Sequence, residues 1–433
     1  MINGLYDFLD PTNPTVRGLI DRMRLPTAVN ISALLAVGVA LLPQRLVRPF
    51  LLWAGVLILA VFLGLAFAAG VLGGCLLVFW LGWRLKAWGR RRGSPRWPLA
   101  VGWVVVNSLY LPCFLLVLPF IPGMQAGELT QFCGLGFLTI KALHYLGRCC
   151  RGQVDPAGGD LAAFLLYMIH LPTFRLGPYQ SFADFNAEVD SCKQRVSWSN
   201  AGYGLWRIAL GTGKMLLLYY LIEKPFFKPY GNNIPFAAGF FDAAGQLPAG
   251  QCWVMAYLLF LRAYLFLSGL TDGAEGVNLL MGIRTPENFR RTFQATDIAE
   301  FWRRWHISLG DWLREEIYIP LGGNRRRREM NVLAVFAYCG LWHFAFFWGG
   351  LFFALLNTTA IIATSAWMAF WSRRRERDSQ LYRLAHHWGL VDSVASRMVG
   401  RLIVFHLLSL SCVVIFDHEH SGLPMLARMF GFR

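Results

Sequence analysis

The chain has 433 residues, of which 56% are hydrophobic, 15% aromatic and only 15% charged, and its mean hydropathy is +0.43. A soluble domain carries roughly 25% charged residues, so a water-covered globule, a disordered chain, a collagen-like chain and a small disulfide-rich secreted scaffold are all excluded. Lys and Arg number 41 against 25 Asp and Glu, a formal charge of +16. In a membrane chain that excess belongs to cytoplasmic loops and anionic lipid rather than to nucleic acid.

In chain order, residues 1–27 are polar, with Asp7, Asp10, Pro11, Pro14, Arg17, Asp21, Arg22 and Arg24. No basic stretch leads at once into an apolar one, which argues against a cleavable signal peptide and for an amphipathic lead-in on the membrane surface. Residues 28–43 form a short apolar segment. Residues 50–83 contain no charge and exceed the ~20 residues of a single crossing, so they read as two spans that break near Gly70, Gly73 and Gly74. The basic group Arg84, Lys86, Arg90, Arg91, Arg92 and Arg96 follows directly and is expected to face the cytosol.

Residues 97–127 are again free of charge but hold Pro112, Pro119 and Pro122, which predict a bent or divided span. Further spans are expected at residues 129–140, 161–174, 205–222 and 243–270, in the two halves of 331–372, and at 402–416. That makes about eleven. Residues 175–204 and 284–330 are too polar to cross lipid. With no internal repeat and no Ser/Gly-rich linker, residues 28–433 read as a single all-α polytopic membrane domain. The nine cysteines are scattered without a C-x-x-C pair, so neither a disulfide framework nor a metal site is expected. Cys149 and Cys150 beside Arg148 and Arg151 form a weak lipidation pattern that packing explains equally well.

The chemistry concentrates in residues 297–324, DIAEFWRRWHISLGDWLREEIYIPLGGN. Glu300, Arg303, Arg304, Asp311, Arg314 and Glu315 fall between Asp297 and Glu316, too many for a lipid-facing span at about 2.5–3.5 kcal/mol each. Phe301, Trp305, Leu309 and Trp312 nevertheless recur at helical spacing. Asp297 followed by Glu300 resembles a capping box, and Pro320, Gly322 and Gly323 stop the helix. The prediction is one helix from Asp297 to Glu316, interfacial or re-entrant, set against protein or water rather than lipid. His306 lies in it, either as a histidine bonded to a neighbour or as part of a site.

A second histidine, His343, stands in YCGLWHFAFFWGG among Trp342, Phe344, Phe346, Phe347 and Trp348. Such surroundings favour the neutral imidazole, the form a general base requires. The alternative is a histidine bonded to a backbone carbonyl.

Taken together, residues 297–324 and the GLWH string resemble the membrane-bound O-acyltransferase family. Within it they are similar to the bacterial branch of alginate O-acetyltransferases and teichoic acid D-alanyl transferases. LSGLTDGAEGVNLLMGIRTPENF (267–289) and HLPTFRLGPYQSF (170–182) are similar to family elements too. The likeness covers residues 170–350 and is most specific over 267–345. It departs at Phe344, where the family has a small residue, and at Tyr179 and Gln180 after the Gly-Pro pair.

The resemblance implies a helical bundle around a central tunnel in a bacterial cytoplasmic membrane, with His343 and His306 as the catalytic pair. His343 would take the proton of an acceptor hydroxyl, and His306 would orient the thioester or assist thiolate departure. It implies no bound cofactor and no metal. The donor would be acetyl-CoA or an acyl carrier protein, and the partner a periplasmic or extracellular acyltransferase or polysaccharide. Arg303 and Arg304 are candidates for donor phosphates, Trp302, Trp305 and Trp342 for tunnel walls, and Asp272 for a substrate contact or an arginine partner. The expected activity is acyl transfer, most simply of acetyl, to an exported polysaccharide. D-alanyl transfer to a teichoic acid-like polymer is the alternative within the family, and a polytopic transporter the alternative outside it.

Overall fold

Every backbone N–H and C=O in a bilayer must find its partner within the protein, which leaves helices as the economical solution for long apolar runs. The computed structural model describes residues 25–63, 65–92, 135–154, 160–174, 176–227, 247–342, 347–415 and 422–432, and among these no strand occurs. Residues 1–24 of the expected lead-in, the divided span at 97–127 and His343 lie outside the described residues, and residues 25–27 of the lead-in already belong to the first helix.

Contacts divide the chain into two compact units, residues 1–212 with 270–286 and residues 213–269 with 287–433. In the first, α1 (Leu25–Leu41), α2 (Gln44–Leu63) and α3 (Leu65–Arg92) are followed by α4 (Leu135–Cys150), α5 (Leu161–Ile169), α6 (Leu171–Phe174) and α7 (Phe182–Asp190). The expected break near Gly70, Gly73 and Gly74 does not occur, since all three lie inside α3, and a Cβ on any of them would meet nothing within 4 Å. Without water to compete for their peptide groups, glycines do not break an apolar helix. The segment 161–174 also differs from its expected single span. It divides at His170 into pieces of 9 and 4 residues, each too short to cross about 30 Å of hydrocarbon.

The first unit's core is aromatic. Tyr145 and Phe164 lie 4.4 Å apart by ring centroids, and Phe79 and Phe182 each lie 5.3 Å from one of that pair. Buried polar groups beside it are satisfied locally. Lys141 Nζ donates to the Tyr167 carbonyl at 2.9 Å, and His170 Nε2 lies 2.7 Å from Asn278 Oδ1.

Helix α8 (Trp198–Leu217) runs on as a π-helix, Leu218–Phe227, that contains Pro225. Proline has no N–H and clashes with the carbonyl four residues back, and the wider π turn accommodates both defects. Glu223 in that turn is buried and ion-paired with Arg262 of α9 (Ala249–Leu280). The chain passes from one unit to the other within α8 and again within α9.

The second unit adds α10 (Ile298–Trp302), α11 (Ile307–Leu313), α12 (Arg328–Trp342), α13 (Phe347–Glu376), α14 (Gln380–His387), α15 (Val394–Ile415) and α16 (Gly422–Met429). Helices α12 and α13 form an antiparallel pair whose backbones meet at two glycines. A Cβ on Gly340 would stand 2.8 Å from the Gly350 carbonyl oxygen, so only glycine permits that approach. Met255, Leu259, Phe260, Ile298, Phe301, Phe353 and Val413 belong to one buried core. Six helices among the described residues are long and apolar enough to cross a membrane: 44–61, 68–89, 198–227, 249–280, 349–376 and 394–415. The molecule is an all-α, multi-pass membrane protein. The remaining expected spans are shorter helices or fall outside the described residues.

Candidate active site

The predicted single helix from Asp297 to Glu316 is broken in two, and the break builds the site. Helix α10 starts as expected: Asp297 accepts from the Glu300 N–H at 2.7 Å, and Glu300 accepts in return from the Thr296 N–H at 2.7 Å. This is a capping box displaced by one residue at its outer end. Burial works against the Glu300 carboxylate, but the Thr296 N–H and the Arg304 guanidinium outweigh it and hold its pKa below the ordinary value.

The helix stops at Trp302 because the next acceptors are claimed from outside. The Arg304 carbonyl receives the Arg290 N–H at 3.0 Å and the Thr292 hydroxyl at 3.3 Å. Ile307 N–H donates to the Asn288 carbonyl at 3.0 Å, and Ser308 donates to Asn288 Oδ1 from both its N–H, at 3.1 Å, and its hydroxyl, at 2.8 Å. Asn288 is wholly buried. An amide in that position must be hydrogen-bonded, and here it supplies the N-terminal turn of α11 with the acceptors that a continuous helix would have provided.

His306 is the hinge of this break. Its φ is 45° and its ψ 52°, the left-handed region, at the entry to α11. A non-glycine residue there costs of order 1–3 kcal/mol and persists only where its surroundings enforce it. The Asn288 bonds on the two following residues are that enforcement. The imidazole is buried, with the Phe289 ring centroid 6.2 Å away.

The apolar face predicted from spacing survives the break, with Phe301, Leu309 and Trp312 buried and Trp305 half-buried. Trp305 stacks on Phe301 at 5.3 Å and Phe260 at 5.7 Å, and meets Phe289 edge-on at 5.1 Å. Trp302 donates from Nε1 to Asn357 Oδ1 at 3.1 Å and lies edge-on to Phe336 at 5.4 Å. Both rings are therefore fixed by packing.

Arg303 is exposed, whereas Arg304 is held by Glu300 at 2.5 Å. An open cavity of about 510 Å³ is lined by Glu287, Arg290, Arg291 and Arg304. Asp272 belongs to the first unit and is buried at 2.7 Å from Arg207, which also pairs with Glu275. Trp342 ends α12, its side chain outside the described residues, and His343 lies outside them altogether. Among the described residues no group of three or more His, Cys, Asp or Glu is placed to hold a metal ion.

The structure thus brings together Trp302, Arg304, Trp305 and His306 in the second unit. It adds Asn288, Arg290, Arg291 and Asn357, which the sequence did not single out. The only signal for Asn288 was its place between Pro286 and Phe289, in a loop with no surface role evident from composition.

The family model of MBOAT, the membrane-bound O-acyltransferase family, matches residues 151–383. A probable alginate O-acetylase of Pseudomonas aeruginosa is 30% identical over 310 residues, covering 66% of this chain and 56% of that protein. A peptidoglycan O-acetyltransferase of Helicobacter pylori is 31% identical over 202 residues, covering 46% and 36%. A teichoic acid D-alanyltransferase of Streptococcus thermophilus is 26% identical over 326 residues, covering 70% and 74%. The chain spans about half the length of the alginate O-acetylases it matches.

Proposed function

The chain belongs to the membrane-bound O-acyltransferase family, and from that premise we propose that it is an O-acyltransferase of exported polysaccharide. An acyl group, in the first instance acetyl, passes from a cytosolic thioester such as acetyl-CoA or an acyl carrier protein to a polymer hydroxyl, directly or through a periplasmic partner. The hydroxyl oxygen attacks the thioester carbonyl, the C–S bond breaks, and the products are an ester and a free thiol. His343 accepts the hydroxyl proton, and a proton is returned to the thiolate. General-base assistance of this type contributes about 10²–10⁴-fold.

The observation that carries this reading is the His306 turn. A buried imidazole in a strained left-handed conformation, with Asn288 bonded to the two residues that follow it, supports a fixed orientation for a thioester carbonyl. Positioning of that kind is worth more than the hydrogen bonds it uses. His306 orients the thioester or assists thiolate departure, and Trp302, Trp305 and Trp342 shape the acyl passage. Asp272, neutralised by Arg207, supports the helices rather than the substrate. The D-alanyl alternative draws on the 74% coverage of the Streptococcus thermophilus protein.

The test is mass spectrometry of the exported polysaccharide from cells with and without this gene, and with His343→Ala and His343→Gln. Loss of acetyl ester in the deletion and in both variants, at equal membrane-inserted protein, is the expected result. An amide cannot act as a base near neutral pH. Full acetylation in His343→Ala would end the assignment, and loss of D-alanyl ester instead would select the alternative polymer.

A further inference from the structure

The end of the α13–α15 hairpin carries a surface that acyl transfer does not use. The two helices run antiparallel. Asn357 of α13 donates to Ser411 of α15 at 3.2 Å near one end, and Arg375 meets Asp392 at 3.6 Å near the other. Both helices are long and apolar enough to cross a membrane. At the second end each apolar run stops at an arginine, Arg373 in α13 and Arg401 in α15. The first charges beyond a span mark the level of the headgroups. Helix α14 therefore lies between two crossings of the same membrane surface.

The side chains fit that level. Residues 373–401 hold seven arginines and three acids, and the acids are already engaged. Glu376 accepts from Ser372 at 3.1 Å, Asp378 pairs with Arg383 at 3.0 Å, and Asp392 accepts from the Tyr382 hydroxyl at 2.7 Å. Arg373, Arg377, Arg397 and Arg401 are exposed, and among the described residues none of them stands within 4.0 Å of a carboxylate. Just inside the same level Trp367 lies edge-on to Trp371 at 5.5 Å, and Arg374 covers the Phe370 ring at 4.1 Å. Aromatic rings gather at this depth because they are apolar in body and polar at the edge.

Helix α14 begins at Ser379, whose hydroxyl accepts from the Tyr382 N–H at 3.2 Å. Leu381, Leu384 and Trp388 follow at helical spacing and are exposed, Leu384 by 55% and Trp388 by 70%. The buried Ala385 holds the helix to the protein, while Arg383, His386 and His387 are exposed on the side away from the leucines. An apolar stripe beside a basic face is the pattern of a helix that lies in the bilayer interface.

We propose that this hairpin end is a docking surface for anionic phospholipid. Leu381, Leu384 and Trp388 sit among the outer acyl carbons, and Arg373, Arg377, Arg397 and Arg401 meet the headgroup phosphates. Guanidinium forks match phosphate oxygens in pairs. Four of them without a carboxylate select a net negative headgroup, since a choline headgroup brings its own cation.

The experiment places the full chain in nanodiscs of mixed phosphatidylcholine and phosphatidylglycerol, with the photo-crosslinking residue benzoylphenylalanine at position 384. Lipid adducts are read by mass spectrometry. Wild-type flanking residues should give phosphatidylglycerol adducts in excess of that lipid's share of the disc. Replacing all four arginines, as Arg373→Gln, Arg377→Gln, Arg397→Gln and Arg401→Gln together, should lower the ratio of phosphatidylglycerol to phosphatidylcholine adducts about ten-fold. Arg45→Gln, an exposed arginine at the start of α2, should leave the ratio unchanged. Trp388→Ser should reduce adducts of both lipids alike, because it shortens the apolar stripe and leaves the charge. An equal ratio in wild type and the quadruple variant would overturn the proposal. The absence of any lipid adduct at position 384 would overturn it too, and would leave the face to an acidic protein.

Discussion

Arg207 faces Asp272 and Glu275 within the first unit, whereas His306 of the second unit sits in a turn tied by the neutral amide of Asn288. In the first case two carboxylates three residues apart share one face of α9 and both face the Arg207 guanidinium. Beside them Gly204 and Gly276 bring α8 and α9 so close that a Cβ on Gly276 would overlap the Gly204 carbonyl. Charge is compensated by charge and the helices stay regular. In the second case a helix is interrupted, and a side chain is held in a costly backbone conformation. The first arrangement secures helix packing. The second spends stability to fix one imidazole, which is the pattern expected of a site that does chemistry.

The comparison is most sharply broken at Arg207. Arg207→Leu takes from two buried carboxylates the guanidinium that both face, and breaking a buried pair in this way costs about 3–5 kcal/mol. Thermal unfolding in detergent should show a large drop, with little folded protein in the membrane. Unaltered stability would mean that the cluster is not the packing device described above.

Asn288→Ala removes the side-chain oxygen that accepts from the Ser308 N–H and hydroxyl, while the backbone carbonyl that accepts from Ile307 stays; leaving such buried donors unsatisfied costs about 1–3 kcal/mol. Acyl transfer should fall further than stability does, because the His306 turn loses its register. A variant destabilised to this degree but turning over normally once folded would show that the turn does not position the reaction.

A smaller effect separates strain from side-chain loss at His306. His306→Ala and His306→Gly both delete the imidazole, but only alanine keeps the left-handed penalty, about 1 kcal/mol. The glycine variant should unfold at the higher temperature, and both should be impaired in transfer, with His306→Asn recovering part of it. An alanine variant as stable as the glycine one would remove the strain argument.

Glu300 gives the least. Its carboxylate is held below its ordinary pKa, so it stabilises the fold above the unfolded value of about 4.3, and that contribution is lost as pH falls through the lower folded value. Glu300→Gln should therefore cost less than about 1 kcal/mol at neutral pH, and the difference from wild type should close as the pH is taken below about 4. A difference that persists in acid would assign the effect to the Thr296 hydrogen bond alone.

Composition and patterning determined the class of this protein. Charge-free runs of more than 30 residues have one stable solution in lipid, the helix; α2, α9, α13 and α15 overlap spans expected from hydropathy, whereas α3 runs through the break expected near Gly70. The Asp297–Glu300 cap was readable because capping is local, and the inward face of Phe301, Leu309 and Trp312 was readable because burial follows helical spacing. The fate of residues 303–308 was not readable. Their own sequence favours a continuous helix, and what overrides it is an amide at position 288 together with donors at 290 and 292. Position 70 shows the same limit from the other side, since a glycine that would weaken a helix in water is harmless where no water competes for its peptide groups. Hydrogen bonds between distant residues are made only once the chain has folded, so the broken helix, the strained His306 and the arginine-lined cleft beside it were decided by tertiary structure alone.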